Sequence, residues 1–284
     1  MEYSLSYRLG GFAPNLDPDA VAWIDAVIAA GGVLLSSERS TKIIASDFFS
    51  ALKTDASGNL FTLLGRTYFP VWGVAAANAI CCKSLTTGTF TGTLTHSAGF
   101  VTGDGSTGYF DGGTTPSAAG CLRDSAHAFA LVNRAGSASP TALTTFVGAQ
   151  TSNNATRLSL GVPSSVVNYG GTGPNSGTEI ADASSQNYRG VYFAARTGAT
   201  DRYIGRNIVS GWELGTSDNA ASGALNSTVN MTYLAYNNNS SIIRYSNFPT
   251  GAYGIGLGMT QAQAAKFTQT VKNFWETLTG LNIT

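Results

Sequence analysis

Cleavage of a glycosidic bond needs two carboxyl groups a fixed distance apart, and on a strand such a pair appears as acidic residues two positions apart. In this chain that spacing occurs at Asp17 and Asp19, where Asp-Pro-Asp ahead of an apolar run already accounts for both residues as a helix start. The glutamates Glu2, Glu38, Glu179, Glu213 and Glu276 stand singly in arm, helix, loops and tail. His96 lies in a Thr-His-Ser-Ala-Gly turn and His127 opens a strand, and no nucleophile-elbow pattern accompanies either. Cys81 and Cys82 are adjacent and Cys121 is left over, an odd set without metal-ligand spacing that reads as buried, reduced thiols. These residue types predict no catalytic centre, no metal site and no cofactor.

Binding chemistry is better represented. Trp212 after Gly211, and Tyr233 and Tyr236 with Asn237, Asn238 and Asn239, set aromatic faces beside amide side chains. Such platforms suit sugars, because the C–H face of the ring stacks and the hydroxyls hydrogen-bond. Trp212, Tyr236, Asn237, Asn238 and Asn239 are therefore the candidate carbohydrate-binding residues; the alternative is that the rings are core and the asparagines a turn. A second polar motif is the stretch Gly99 to Gly113, in which Phe100, Val101, Tyr109 and Phe110 flank a turn containing Gly103, Gly105 and Gly108. It predicts a hairpin. A phosphate cradle would require a following lysine and a strand-then-helix context, both missing, and a calcium role for Asp104 would require further oxygen ligands nearby.

The elements that must carry these residues fall into two textures. Asp17 caps a helix from Pro18 to Ala30, with Val21, Ile24, Val27 and Ile28 on one face and Gly31 closing it. A second helix runs from Ser37 or Ser40 to Lys53, and Asn59 to Leu64 gives one further turn before Tyr68-Phe69-Pro70 forces extended chain. Residues 1–70 thus read as an arm and a helical unit. From Val71 the pattern switches to strands at Thr89–Leu94, the hairpin, Ala126–Val132, Leu143–Ala149, Arg157–Val162, Asn187–Ala194, Asp201–Ile208 and Met231–Tyr236. Pro163–Ser185 and Gly215–Asn230 read as long polar loops. At the end, Thr260 and Gln263 form a capping-box pattern ahead of an apolar stripe through Phe267, Val271 and Leu278, and Gly280 closes the helix. The fold class is mainly β: an antiparallel, jelly-roll-type sandwich from residue 71, with an N-terminal helical unit and a packed C-terminal helix.

Only 11% of the residues are charged, against about 25% in an average protein, and formal net charge is zero. Ser, Thr, Asn and Gly must cover the surface, and no global field draws the chain to nucleic acid or to an anionic membrane. The start shows no basic leader and no window is long enough to span a membrane, so neither secretion by a signal peptide nor membrane anchoring is expected.

Several fragments together resemble a family of bacteriophage virion proteins that carry a concanavalin A-like, or laminin G-like, sandwich. They are Asn59-Leu60-Phe61, Tyr68-Phe69-Pro70-Val71, Thr95-His96-Ser97-Ala98-Gly99-Phe100 and Gly103-Asp104-Gly105-Ser106-Thr107-Gly108-Tyr109, followed by Arg196-Thr197-Gly198, Tyr203 and Arg206-Asn207, and finally Gly256-Leu257-Gly258-Met259-Thr260 leading to Leu278-Thr279-Gly280. Ile208 stands where that family usually has glycine, so this turn departs from its pattern. The resemblance implies a non-enzymatic structural part of a particle, as decoration, fibre or tail-associated protein, located in the virion, with other virion proteins and further copies of itself as partners. The alternative is a carbohydrate-binding module that attaches to a host-surface glycan; a glycan hydrolase ranks third.

The arm supplies the candidate docking residues Tyr3, Leu5, Tyr7, Leu9 and Phe12, which with Ser4, Ser6 and Arg8 show strand alternation between Tyr3 and Leu9. A segment of this kind pairs either with the sheet edge of another subunit or back onto its own sandwich.

Overall fold

The computed structural model describes residues 15–134, 144–151, 156–162, 169–172, 180–182, 188–219 and 221–283. The helices are α1 (Pro18–Ala29), α2 (Glu38–Lys53), α3 (Leu60–Leu63), α4 (Ala75–Asn78) and α5 (Gln261–Thr279). The first strands are β1 (Leu64–Tyr68), β2 (Thr89–Thr91), β3 (Leu94–Ser97), β4 (Phe100–Gly103), β5 (Tyr109–Asp111), β6 (Ala126–Arg134) and β7 (Thr144–Gln150). They are followed by β8 (Leu158–Val162), β9 (Tyr169–Thr172), β10 (Ile180–Asp182), β11 (Tyr188–Arg196), β12 (Arg202–Ile208) and β13 (Gly211–Asp218). The last are β14 (Thr232–Tyr233), β15 (Tyr236–Asn238), β16 (Ser241–Ile243) and β17 (Thr250–Gly256).

Three layers result. An 8-stranded sheet in the order β13-β12-β11-β6-β17-β4-β3, with β1 also on β17, faces a 9-stranded sheet in the order β10-β9-β8-β7-β14-β5-β2, to which β15 and β16 attach. The expected β-sandwich is present, and α1, α2 and α5 form a third layer on the outer face of the 8-stranded sheet. Strand alternation makes this possible. Along β6, Phe129 and Leu131 pack under the helices, whereas Ala128, Ala130 and Val132 point to the other sheet.

The helix ends follow their local signals. The Asp17 carboxylate accepts from the amides of Asp19 and Ala20 at 3.0 and 3.3 Å, and Lys53 Nζ reaches both Asp17 and Asp19, so the one closely spaced acid pair is a helix cap and an ion pair. The Thr260–Gln263 capping box forms in both directions, and Gly280 ends α5 at φ 69°.

The boundary drawn at residue 70 does not divide the molecule. β1 pairs with β17, and a single core joins Trp23, Phe48 and Phe49 of the helices to Phe129, Phe193 and Phe274. No local signal shows that the extended chain after α3 is a strand of the sandwich, because β17, which accepts it, lies almost two hundred residues later. The arm residues Tyr3, Leu5, Tyr7, Leu9 and Phe12 lie outside the described residues.

The predicted hairpin at 99–113 is a crossing between sheets instead. β4 pairs with β3 and β17 in one sheet, and β5 pairs with β2 and β14 in the other. Asp104 holds the crossing: its carboxylate accepts from the amides of Ser106, Thr107 and Gly108 at 2.9, 2.7 and 2.8 Å and from the hydroxyls of Ser106 and Thr107. Hydrogen bonds from the Thr107 hydroxyl and these amides hold the carboxyl far below the usual carboxylate range. The chain's own carboxylate thus fills the amide nest that an anion would need.

Thr89–Leu94 is likewise split between the sheets as β2 and β3, whereas Met231–Tyr236 is broken within the 9-stranded sheet into β14 and β15, with Leu234 between them at φ 64°. The loop expected at Pro163–Ser185 contains β9 and β10, and β13 extends into the one expected from Gly215. β17 is buried along its whole length although three of its seven residues are glycine. At Gly251 a Cβ would lie 2.3 Å from Trp275 Nε1, so this glycine makes room for a side chain, and at Gly256 it would lie 2.1 Å from Leu63 O and 2.7 Å from His127 Cε1, so this one lets the backbone before β1 approach.

Candidate functional site

The five residues proposed for sugar stacking are not brought together. Tyr236 is 1% exposed and its hydroxyl donates to Gln150 Oε1, so its ring is core and offers no platform. Asn237 locks the following turn, its Nδ2 donating to Asn230 O at 3.0 Å and its Oδ1 accepting from the Ser240 amide at 2.9 Å. Asn238 accepts from Gln150 Nε2 at 2.6 Å, and Asn239 occupies the left-handed region at φ 52°. Trp212 sits in the opposite sheet, half-buried on β13, edge-on to Phe193 and over Gly205. The aromatic and amide signal was therefore produced by core packing and turn chemistry.

The histidines are also accounted for. His96 Nδ1 lies 2.9 Å from Asn78 Nδ2, and Asn78 Oδ1 accepts from the Trp72 amide at 2.8 Å, which ties β3 to the segment after β1. His127 is fully buried, stacked on Phe193 and packed against Phe267 of α5. Its Nδ1 faces Leu257 O at 2.5 Å and must carry the proton, because a carbonyl only accepts; burial pushes its pKa down to about 4. The cysteines are free and buried, and burial pushes the Cys121 thiol up to about 12. Among the described residues there is no cluster of His, Cys, Asp and Glu that could hold a metal ion.

A cleft of about 690 Å³ lies instead where the β11–β12 connection, the end of β13 and the start of α5 meet. Thr197, Asp201, Arg202, Tyr203, Ser217, Asn219, Thr260 and Gln261 line it. The connection is fixed from beneath: fully buried Arg196 donates from Nη1 to Gly198 O and Ala199 O at 3.3 and 3.0 Å, and the Thr197 amide donates to Asp201 O at 3.0 Å. The Ser222 amide holds Ala199 O from the side at 2.8 Å. On the opposite wall, Tyr203 Oη donates to Met259 O at 2.6 Å, setting the point at which the chain enters α5. Rigid supports thus present three hydroxyls, two amides and a carboxylate to solvent, with Arg202 buried in the wall. Trp212 stands five residues back along β13, on the order of 16 Å away.

No protein-family model matches the chain, and no curated protein is similar to it in sequence. A solved structure shares its fold. A Trypanosoma rangeli sialidase, in complex with a 2,3-difluoro derivative of KDN, superposes with a TM-score of 0.52 at 9% identity, covering 83% of this chain and 40% of that one. A mutant of the same organism's sialidase that displays trans-sialidase activity gives 0.49 at 8% identity over 84% of this chain and 38% of its own. The CBM40 of a Ruminococcus gnavus IT-sialidase gives 0.39 at 8% identity, covering 52% of this chain and 84% of that one. The chain spans less than half the length of the two trypanosomal chains. At such identities the likeness is one of fold.

Among the cleft residues, Thr260 carried a signal as the N-cap of a capping box, Thr197 and Tyr203 fell in fragments of the family resemblance, and Asp201, Arg202 and Tyr203 lay in an expected strand, but none of these signals pointed to a binding site. Thr197, Asp201, Arg202, Tyr203, Ser217 and Asn219 meet through the β11–β12 and β12–β13 pairings, and Gln261 opens α5, so no single stretch of sequence shows the cleft.

Proposed function

We propose that the chain is a non-catalytic, lectin-like sandwich that binds a glycan in the cleft between the β11–β12 connection and the start of α5. The observation that carries this reading is the lining: Thr197, Ser217, Asn219, Thr260 and Gln261 match the alternating donors and acceptors of a polyhydroxylated ligand, and Asp201 adds a charge-assisted contact. Asp201 is the one carboxylate among the described lining residues, whereas hydrolysis uses a pair, which supports binding over cleavage. Fold likeness to a sialidase agrees with a sugar ligand, as do the sialyllactose complexes of the R. gnavus CBM40.

The test is a glycan array with the purified chain, followed by titration of the best ligand against D201A and N219A. Each variant should weaken binding about tenfold or more, the equivalent of one lost charge-assisted or bidentate contact. Absence of any retained glycan, or unchanged affinity in both variants, overturns the reading.

The setting proposed for this module is the surface of a bacteriophage particle. Its support is the ordered set of fragments from Asn59 to Gly280 that resembles virion proteins. Mass spectrometry of purified particles should find the polypeptide in stoichiometric amount; its absence from them refutes the setting without touching the glycan reading.

A further inference from the structure

The cleft between the β11–β12 connection and α5 meets a ligand with one sign of charge. Asp201 is exposed there, its carboxylate folded over Gly198, where a Cβ would stand 2.8 Å from Oδ2. Asp17, Asp25, Glu213 and Glu276 each pair with a lysine or an arginine, and among the described residues Asp201 does not. The guanidiniums nearby are engaged inside the protein: Arg202 is 2% exposed, and Arg196 is fully buried with Nη1 on Gly198 O and Ala199 O behind the connection. Arg123 and Asp124, which hold Ser222 beside Ala199, lie 3.9 Å apart and offset each other. The start of α5 carries the opposite sign, but a helix N-terminus is worth about half a charge, and the capping box already uses the amides of Thr260 and Gln263. A ligand group in the cleft therefore touches one whole negative charge and no whole positive one.

We propose that the glycan bound here presents an ammonium group, as an unacetylated hexosamine does, and that Asp201 pairs with it. This inference rests on the glycan reading and adds the class of sugar to it. An ammonium has three donors: one makes a charge-assisted bond to the Asp201 carboxylate, and the others suit the neutral oxygens of Thr197, Ser217 and Asn219. A sugar that carries a carboxylate meets Asp201 with like charge and finds no exposed guanidinium to offset it, so repulsion adds to the selectivity.

The experiment titrates the full chain with a glucosamine tetramer, the N-acetylglucosamine tetramer, α2,3-sialyllactose and lactose, and repeats the series with Asp201→Asn, an isosteric change at an exposed position. The glucosamine tetramer should bind about tenfold more tightly than its acetylated counterpart, and sialyllactose more weakly than lactose. D201N should abolish the advantage of the amine and leave the affinity for the acetylated tetramer within about threefold. Equal affinities for the two tetramers, tighter binding of sialyllactose than of lactose, or an amine preference that survives in D201N overturns the inference and leaves the glycan reading standing. A glycan array that retains other sugars but no amino sugar does the same. An array that retains nothing overturns the glycan reading itself, and this inference with it.

Discussion

Trp275 of α5 donates its indole N–H to Gly99 O at 3.0 Å, a contact that spans 176 residues of sequence, and it reaches that carbonyl only because position 251 carries no side chain. The helix, the turn before β4 and the strand β17 are therefore fitted to one another at a single point. Gly251→Ala would place a methyl group 2.3 Å from the indole nitrogen, and the shift needed to relieve it should cost ~3 kcal/mol. Urea denaturation is the measurement; a loss below about 0.5 kcal/mol would show that the helix moves freely over the sheet.

His127 gives stability a defined pH dependence. In the unfolded chain its imidazole titrates near 6.5, and in the folded protein near 4, so between these values the unfolded state binds a proton that the folded state refuses. Its contribution is complete above pH 6.5 and is lost as pH falls towards 4, by about 3 kcal/mol for a difference of this size. In His127→Asn, whose amide can still donate to Leu257 O, the denaturation midpoint should fall less steeply over that interval. Parallel curves for the two proteins would rule out His127 as the source.

Asp104 adds a loss of stability in acid of the same sign as that of His127, but in a lower pH range and from hydrogen bonds rather than burial. Its folded pKa is depressed, so the stability it supplies is present above the usual carboxylate range and disappears only as acid titrates it through the lowered folded value. Asp104→Ala removes the acceptor shared by three amides and two hydroxyls and should destabilise the crossing by ~1–2 kcal/mol, with faster hydrogen exchange at Ser106, Thr107 and Gly108. Exchange rates unchanged at those amides would contradict the role given to the carboxylate.

Two tyrosines separate satisfied from unsatisfied hydroxyls. Tyr253 is fully buried, stacked on Tyr233 at 4.6 Å, and its hydroxyl has no partner, so Tyr253→Phe should leave stability unchanged or raise it by up to ~1 kcal/mol. Tyr203→Phe deletes the hydrogen bond to Met259 O and should cost ~1 kcal/mol, and because that bond positions one wall of the cleft it should also weaken glycan binding. Equal effects of the two substitutions would mean that the hydroxyl contacts do not control either property.

Features set within a few residues were legible from the sequence, and features set by distant partners were not. Asp17, Ser37, the Thr260–Gln263 box and Gly280 mark helix ends through contacts made in one turn of chain, and the structure places the ends there. The glycines around Asp104 fit a hairpin and a sheet-to-sheet crossing equally well, because the choice depends on which strands lie beside β4 and β5. The glycines of β17 resemble a loop in sequence for a related reason: Trp275 and the Leu63 carbonyl, which occupy the space where a Cβ would stand at Gly251 and Gly256, come from distant segments. Tyr236 read as a sugar platform because nothing nearby in sequence reveals that Gln150 binds its hydroxyl in the interior. The cleft itself is assembled from strand ends and a helix cap that no sequence window contains.

β17 lies between β6 on one side and β1 and β4 on the other, so strands from both halves of the molecule meet on a segment near its C-terminal end. During synthesis, β1, β3, β4 and β6 leave the ribosome long before the strand that joins them. Until residues 250–256 emerge, the nascent chain carries two pieces of one sheet with open edges. A message cut short just ahead of that strand would produce an aggregation-prone fragment rather than a slightly smaller sandwich.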